Sequence, residues 1–386
     1  MTPERPRILV VTRNLPPLVG GMERLNWHIA DELSRHTEVR VIGPEGSASQ
    51  RPEQVEVNQV PLRPLWRFLI ASALQTVRIA RDWKPDIVLA GSGLTAPAAL
   101  LAARTVGARE SVYLHGLDAA VQHPLYRTLW HPAIRRMDTV IANSRPTADL
   151  ARTLGVNAAC IRIVHPGVQM PNAPQPAHEL HAFRQRHGLG ESRLLLSIGR
   201  LTTRKGLREF VQNALPTIVR SAPDTLLAII GDAPSDSLYA SVQTRESIQA
   251  TADAAGIGQH LRFLGVITDP TELACAYECS ALHVFPVRHL PGDPEGFGMV
   301  AIEAASHGRP TVAFATGGVV DAVAEGQSGK LVPPGDYAAL IDTVLQVLAD
   351  GNDAWQAGAT LFSSGFAWPA FGQRMADVLA VDWRTR

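Results

Sequence analysis

The sequence predicts an α/β protein of two Rossmann-like domains, each with a mostly parallel sheet covered by helices. Three observations indicate this fold. The chain of 386 residues is too long for one ordinary domain. Short apolar, β-branched runs alternate with helix-like stretches, as in parallel sheets covered on both faces. The alternation stops in the proline-rich stretch 169–180 and then restarts, which indicates a linker between two domains.

Buried apolar runs predict the strands of the first domain. They span residues 7–12, 40–43, 85–90, 111–118, 139–144 and 161–164. Between the first two runs lies an amphipathic helix over about 22–35, because Leu25, Ile29 and Leu33 recur every four residues. No G-x-G-x-x-G pattern follows a strand, which argues against a standard dinucleotide site.

The same alternation of apolar runs and helix-like stretches predicts the second domain. Its strands span residues 193–198, 225–230, 261–265, 281–285 and 310–314. A helix is predicted after Gly206 and through Leu215, and another in the tail 366–386.

Composition indicates a globular protein, with 46% hydrophobic and 19% charged residues. No apolar run reaches the roughly 18–20 residues that span a bilayer, and the N-terminus leads into a strand without an apolar signal region. Three cysteines cannot form a disulfide framework, so we expect a reducing cytoplasm. Cys275 and Cys279 could form half a metal site, but no second pair matches them, which favours buried structural thiols.

The charges are unevenly distributed although the net charge is zero. Residues 1–180 contain 20 basic and 15 acidic side chains, against 16 and 21 in residues 181–386. A basic half suits an anionic membrane or acceptor, and chance scatter is the alternative.

Aromatic and basic side chains are mixed in residues 61–83, which include Arg63, Arg67, Arg78 and Arg81. Residues 126–136 form a second such stretch. This composition can lie in a membrane interface. The alternative is a helix packed on the sheet with solvated arginines.

Two carboxylates stand out in residues 294–304, where seven residues separate Glu295 from Glu303 and a Gly-Phe-Gly turn follows the first. Predicted strands on both sides make this a strand–turn–helix segment, whose helix N-terminus suits a phosphate. Because carboxylates repel phosphates, Glu295 and Glu303 should bind neutral hydroxyls. A ligand with central phosphates and sugar hydroxyls at both ends fits.

This stretch resembles the E-x7-E motif of the retaining glycosyltransferases of the family-4-like group (glycosyl transferases group 1). Residues 199–206, Gly-Arg-Leu-Thr-Thr-Arg-Lys-Gly, resemble the donor-diphosphate motif of the same family. The resemblance implies the GT-B fold, two Rossmann-like domains facing each other across a cleft. It implies an acceptor-binding domain (1–168), a linker (169–180), a nucleotide-sugar-binding domain (181–365) and a C-terminal helix (366–386) that crosses back.

The resemblance also implies roles for single residues. A lone His at a strand end is more often structural, but the His-Gly-x-Asp context of His115 resembles a family motif whose His faces the transferred sugar. The catalytic residues implied are His115, Arg200, Lys205 and Glu295. The donor-binding residues implied are Gly20, Gly21, Arg200, Lys205, Val266, Glu295, Gly296, Phe297, Gly298 and Glu303. Within this set, Glu303 is expected to bind the ribose and Arg200 and Lys205 the diphosphate.

The resemblance implies a reaction that retains the anomeric configuration and needs no metal or other cofactor beyond the nucleoside-diphosphate sugar. No two aspartates stand two apart, so the metal-binding Asp-x-Asp pair of many glycosyltransferases is not found. The expected partners are the donor and a glycan or lipid-linked acceptor of bacterial-type cell-surface polysaccharide, lipopolysaccharide or glycolipid biosynthesis. We expect peripheral contact with the anionic cytoplasmic face of the inner membrane, and no nucleic acid.

Two alternatives remain at this point. A GT-B phosphorylase of the pyridoxal type needs a Schiff-base lysine, and the chain has only Lys84, Lys205 and Lys330; a sugar epimerase belongs to the same alternative. The other is an inactive GT-B subunit that scaffolds polysaccharide assembly, against which the intact motifs argue.

Overall fold

The computed structural model describes residues 5–233 and 242–380. The chain divides into two compact units. The first unit comprises Met1–Gly167 and Trp368–Arg386, and the second comprises Val168–Ala367. Each unit contains one parallel sheet covered by helices, which confirms the predicted α/β class.

The first unit has a seven-stranded sheet. Its strands are β1 (Arg7–Val11), β2 (Glu38–Pro44), β3 (Glu56–Val60), β4 (Ile87–Ala90), β5 (Arg109–Leu114), β6 (Thr139–Ala142) and β7 (Ile161–Ile163). They are parallel and lie in the order β3-β2-β1-β4-β5-β6-β7. The helices are α1 (Gly21–Ser34), α2 (Leu65–Trp83), α3 (Ala96–Val106), α4 (Leu117–Ala120), α5 (Pro124–Arg135) and α6 (Arg145–Thr153).

The core of the first unit explains why its strands read as apolar runs. All residues of β4 and β6 are buried, since helices cover both faces of a parallel sheet. Val88 and Val112 of neighbouring strands belong to one apolar cluster with Phe68 of α2 and Ala99 of α3. The small side chains of α3 allow close packing against α2 and β5.

The second unit has a six-stranded parallel sheet. Its strands are β8 (Arg193–Ile198), β9 (Thr225–Ile230), β10 (Leu261–Gly265), β11 (Ser280–Phe285), β12 (Thr311–Phe314) and β13 (Gly329–Val332). Its helices are α7 (Ala177–Arg186), α8 (Leu207–Asn213), α9 (Leu215–Ser221), α10 (Arg245–Ala254), α11 (Pro270–Cys279), α12 (Met299–Ser306), α13 (Val319–Ala322), α14 (Tyr337–Asp350) and α15 (Asp353–Ser364).

Strand order gives the second unit a topological switch point. The order is β10-β9-β8-β11-β12-β13, so the direction of winding reverses between β8 and β11. In open parallel sheets, ligands bind at such a switch point, beyond the carboxyl ends of the strands. The chain leaves β8 into residues 199–206 and leaves β11 into residues 286–298. The topology therefore sets the two family motifs side by side.

Three local features differ from the sequence prediction. Helix α7 begins at Ala177, inside the stretch predicted as a linker, because no helix-breaking residue follows Pro176 and Glu179 favours the first turn. The helix predicted through Leu215 is two helices, α8 and α9, because Pro216 cannot donate the hydrogen bond that would continue the first. Strands β3 and β13 were not predicted, because only one of the five residues of β3 and two of the four of β13 are buried.

The C-terminal helix α16 (Trp368–Ala380) belongs to the first unit and packs against α1. Phe371, Met375 and Leu379 are buried, and the ring of Trp368 stacks on His28 at a centroid distance of 3.7 Å. Residues 381–386 of the predicted tail lie outside the described residues. Across residues 5–233 and 242–380, no helix is both long enough and apolar enough to cross a membrane.

Candidate functional site

Two loops of the second unit meet at the switch point, one after β8 (199–206) and one after β11 (286–298). Gly206 has φ of 70°, and a Cβ there would lie 2.2 Å from the carbonyl oxygen of Pro286. The backbone N–H of Arg288 donates to the carbonyl oxygen of Arg204 over 2.8 Å. A side chain at position 206 would separate the loops, so this glycine is required for their close approach.

The structure brings two predicted site residues together in these loops. The Nζ of Lys205 lies 2.9 Å from Oε2 of Glu295. The same Nζ lies 4.6 Å from the centroid of the Phe285 ring, a cation–π distance. The contact joins the cation predicted for the diphosphate to the carboxylate predicted for the sugar. Their roles stay predictions.

Arg204, which the sequence analysis assigned no role, completes this cluster. Its Nη1 forms an ion pair with Oε2 of Glu295, and its Nε lies 3.1 Å from Oδ1 of Asp293. The side chains of Arg204 and Glu295 are only 13% and 11% exposed. Two adjacent cations in one loop, and two carboxylates two residues apart in the other, were the available sequence signal.

The electrostatics of the cluster keep Glu295 ionised. Burial is the largest influence and would raise its pKa, but Arg204 and Lys205 together outweigh burial and hold the pKa at about 2. Burial also lowers the pKa of Lys205, with Glu295 opposing it. A carboxylate that keeps its charge in a buried place accepts hydrogen bonds strongly.

A shallow, open pocket lies beside this cluster. Gly199, Arg200, Lys205 and Phe285 are among its lining residues. Arg200 is exposed, and among the described residues it makes no hydrogen bond or ion pair. A cation in this position is available for an anionic ligand.

The Gly-Phe-Gly turn is fixed from the opposite side by a second pair of glycines. The backbone N–H of Gly318 donates to the carbonyl oxygen of Glu295 over 2.8 Å. A Cβ on Gly318 would lie 1.9 Å from the carbonyl oxygen of Gly296. Phe297 is 2% exposed and anchors the turn in the core, while Gly298, with φ of 94°, caps α12. The sequence showed Gly317-Gly318 after a strand but not what it contacts.

Glu303 lies on the second turn of α12, as predicted. The hydroxyl of Tyr277, on α11, donates to its Oε2 over 2.9 Å. The Tyr277 ring stacks on His307 at 5.2 Å, and Nδ1 of His307 lies 3.0 Å from Oε1 of Glu278. Tyr277 was missed because nothing in the sequence joins α11 to α12. Val266, which follows β10, is 57% exposed.

The remaining predicted residues belong to the first unit. Gly20 is the N-cap of α1 and Gly21 its first residue. His115 follows the carboxyl end of β5 and is 8% exposed. Its Nε2 donates to the carbonyl oxygen of Gly91 over 2.8 Å, and its backbone N–H donates to Asp118 over 3.0 Å. Parallel strands place the loop after β1 and His115 at the same edge of this sheet.

Among the described residues, one group of three potential metal ligands lies close together, His28, Asp31 and Glu32 on α1. Arg35 pairs with Asp31 at 3.2 Å and with Glu32 at 2.9 Å. The carboxylates therefore already have a cationic partner, and this group lies outside the switch-point site of the second unit.

Comparison with known proteins gives concordant results. The family model described as Glycosyl transferases group 1 matches residues 192–350, and the model Glycosyltransferase Family 4 matches residues 19–170. A GDP-mannose-dependent alpha-(1-6)-phosphatidylinositol monomannoside mannosyltransferase of Mycolicibacterium smegmatis is 30% identical, over 97% of this chain and 98% of the relative. A glycogen synthase of Mycobacterium tuberculosis is 28% identical, over 96% and 94%.

Solved structures agree on the fold. HepE of Anabaena, crystallised in complex with UDP, superposes with a TM-score of 0.79 at 19% identity, covering 97% of this chain and 100% of that one. With the matched family models, the mannosyltransferase relative and the two parallel sheets, these results show that the chain belongs to the glycosyl transferases group 1, glycosyltransferases of the GT-B fold.

Proposed function

We propose that this protein is a retaining, metal-independent glycosyltransferase that moves a sugar from a nucleoside-diphosphate sugar to a glycan or lipid-linked acceptor. One observation carries the proposal. At the switch point of the second unit, the cations Arg200 and Lys205 and the ionised Glu295 adjoin one open pocket. That combination suits a ligand that carries a diphosphate next to a hydroxyl-rich sugar.

The proposed chemistry relies on positioning and on stabilising the leaving group. Arg200 and Lys205 compensate the charge that develops on the departing diphosphate, as a metal does elsewhere. The acceptor attacks from the face that the diphosphate leaves, and a phosphate oxygen takes the acceptor's proton. Glu295 and the turn that follows it hold the sugar, and Glu303 holds the ribose. The protein then needs no separate general base.

Donor binding and turnover test this proposal. Lys205→Ala and Glu303→Ala should remain folded and lose most transfer from UDP-glucose or GDP-mannose, whichever the wild-type protein uses. Lys330→Ala is the matched control, because Lys330 pairs with Glu325 at 3.4 Å and does not line the pocket. Near-normal transfer by both site variants would refute the proposed site. A wild-type protein that binds neither nucleotide sugar in calorimetry would favour the non-catalytic scaffold.

We propose further that the first unit contacts an anionic membrane, from which a lipid-linked acceptor of cell-surface polysaccharide or glycolipid synthesis would be drawn. Large apolar side chains are exposed on α2 at Trp66, Ile70 and Leu74, four residues apart and so on one helix face. Leu125 and Leu129 of α5 are exposed likewise. Helix α3 contacts both α2 and α5, which makes the three helices neighbours.

Arginines accompany this apolar surface, and Arg67, Arg78 and Arg81 of α2 are exposed. Apolar side chains that enter the interface beside cations favour anionic lipid. The wild-type protein should bind vesicles that contain phosphatidylglycerol at low salt, and Leu74→Glu should weaken this binding. Leu361→Glu is the control, because Leu361 is equally exposed, at 69%, but lies on α15. Binding that both variants retain would argue against α2 as the contact.

A further inference from the structure

Arg204 is a buried cation in the site, and the proposed chemistry gives it no role. Its guanidinium bridges two carboxylates, Asp293 at 3.1 Å and Glu295. At 13% side-chain exposure it is enclosed, unlike Arg200, which is exposed at the pocket. A buried arginine between two acids of one loop has a structural or a positioning role rather than a direct one toward the diphosphate.

The contact that Arg204 makes with Glu295 distinguishes a positioning role from a purely structural one. Arg204 and Lys205 both contact the same oxygen, Oε2. Within the described part of the chain, Oε1 of Glu295 makes no hydrogen bond. One oxygen is thus fixed by cations, and the other is available to accept a hydrogen bond from a ligand hydroxyl.

We propose that Arg204, oriented by Asp293, is a positioning residue that holds Oε2 of Glu295 and so presents Oε1 to a hydroxyl of the donor's sugar. This inference rests on the proposed function, since it assigns the sugar to Glu295. It assigns to Arg204 no contact with the donor itself.

The backbone around the cluster supports a positioning role. The carbonyl of Arg204 accepts a hydrogen bond from Arg288, and the carbonyl of Glu295 accepts one from Gly318, both over 2.8 Å. The backbone of both residues of the Arg204–Glu295 ion pair is therefore held in place by a hydrogen bond. A planar guanidinium held by a second carboxylate adds a fixed direction, which a flexible ammonium does not provide.

Calorimetry with nucleotide sugars and with the corresponding diphosphates tests the inference. Arg204→Gln should weaken binding of UDP-glucose or GDP-mannose about tenfold, the value of one charge-assisted hydrogen bond. It should leave UDP or GDP, which lack the sugar, within about threefold of wild type. Arg208→Gln is the matched control, since Arg208 follows in the same segment and is 43% exposed. An equal loss for diphosphate and nucleotide sugar would overturn the proposal, as it would make Arg204 a phosphate ligand.

A double-mutant cycle separates positioning from general damage. Because Arg204 acts through Glu295, Arg204→Gln should add almost nothing to the loss in a Glu295→Gln protein. Arg204→Lys, which retains the charge, should recover part of the sugar-dependent affinity, and Asp293→Asn should lose part of it. Additive losses in the cycle would overturn the proposal.

A ligand-free measurement distinguishes failure of this inference from failure of the proposed function. The charges that face Glu295 are Arg204, Lys205 and Arg200, with Asp293 behind Arg204. Without Arg204, Glu295 should protonate at a higher pH, so acid unfolding of Arg204→Gln should begin at higher pH than in wild type. A wild-type protein that binds no nucleotide sugar refutes the function alone. An unchanged acid transition refutes the hold of Arg204 on Glu295.

Discussion

Gly318 offers a steric test of the site, because an added methyl group there would clash with backbone atoms only. The residue has φ of −70° and ψ of −5°, which alanine adopts without strain. Its Cβ, however, would lie 1.9 Å from the carbonyl oxygen of Gly296 and 2.6 Å from the Cα of Phe297. Contacts under 3.0 Å essentially never occur for a Cβ, so the two segments must separate by about 1 Å.

The displacement acts on the turn proposed to hold the sugar. It also lengthens the 2.8 Å hydrogen bond from the Gly318 N–H to the Glu295 carbonyl. A misplacement of about 1 Å in a positioning element can reduce turnover about 100-fold. We therefore expect Gly318→Ala to lower kcat/KM by about two orders of magnitude, or roughly 2.7 kcal/mol of transition-state stabilisation. The overpacking should also cost about 1–3 kcal/mol of folding stability.

Steady-state transfer from the active nucleotide sugar, with circular dichroism to confirm folding, measures this effect. Gly365→Ala is the matched control in the same unit. Its φ is −65°, and its Cβ would meet only the carbonyl oxygen of Phe362, at 3.5 Å. A folded Gly318→Ala protein with activity within threefold of the control, about 0.7 kcal/mol, would refute the link between this turn and sugar transfer.

Three further predictions follow from single contacts. Tyr277→Phe removes the hydroxyl that holds Glu303, so the donor KM should rise about fivefold and the preference for ribose over 2′-deoxyribose donors should fall; an unchanged preference would contradict the ribose assignment. Cations hold the pKa of the buried Glu295 at about 2 against 4.5 for a free carboxyl, so the pair's stabilisation is complete above pH 4.5 and is lost as pH falls through 2. The unfolding free energies of wild type and Glu295→Gln in urea should therefore converge toward pH 2, and a constant difference would contradict this. Burial, Arg24 and Arg35 lower the pKa of His28 to about 3, so unfolding takes up a proton below pH 6.5 and wild-type stability falls with acidification. His28→Phe should show a smaller drop in Tm between pH 7.5 and 5, and an equal drop would show that other groups dominate.

The sequence predicted best those elements whose residue pattern is local, such as buried strands and the start of a helix. Buried runs such as 225–230 and 193–198 coincide with β9 and β8 because every second or every residue must face apolar core. The spacing of Glu295 and Glu303 gave the turn and the helix correctly, since a Gly-rich turn before an apolar run starts a helix. Such patterns are local, so they can be recognised without knowing which segments contact each other in the fold.

What the sequence could not show are contacts between distant segments. Arg204 and Glu295 are 91 residues apart, and only the order of β8 and β11 brings them together. Tyr277 holds Glu303 across the space between two helices, which no periodicity encodes. The partners of Gly318 are backbone atoms, which any residue supplies. Polar loop residues lack a periodic signal, so their pairing became visible only in three dimensions.

The placement of α16 in the first unit has a consequence for synthesis of the chain. Phe371 and Met375 are fully buried there, and Trp368 lies so close to Gly167 that a Cβ on this glycine would sit 2.1 Å from the indole. These residues are synthesised only after the whole of Val168–Ala367, the second unit, although domains usually fold as they emerge, N-terminal first. The surface of the first unit that α16 covers therefore stays exposed until the segment of the second unit has been synthesised. A ribosome stalled so that residues up to 367, but not α16, have left its exit tunnel should present a folded second unit and a first unit susceptible to protease.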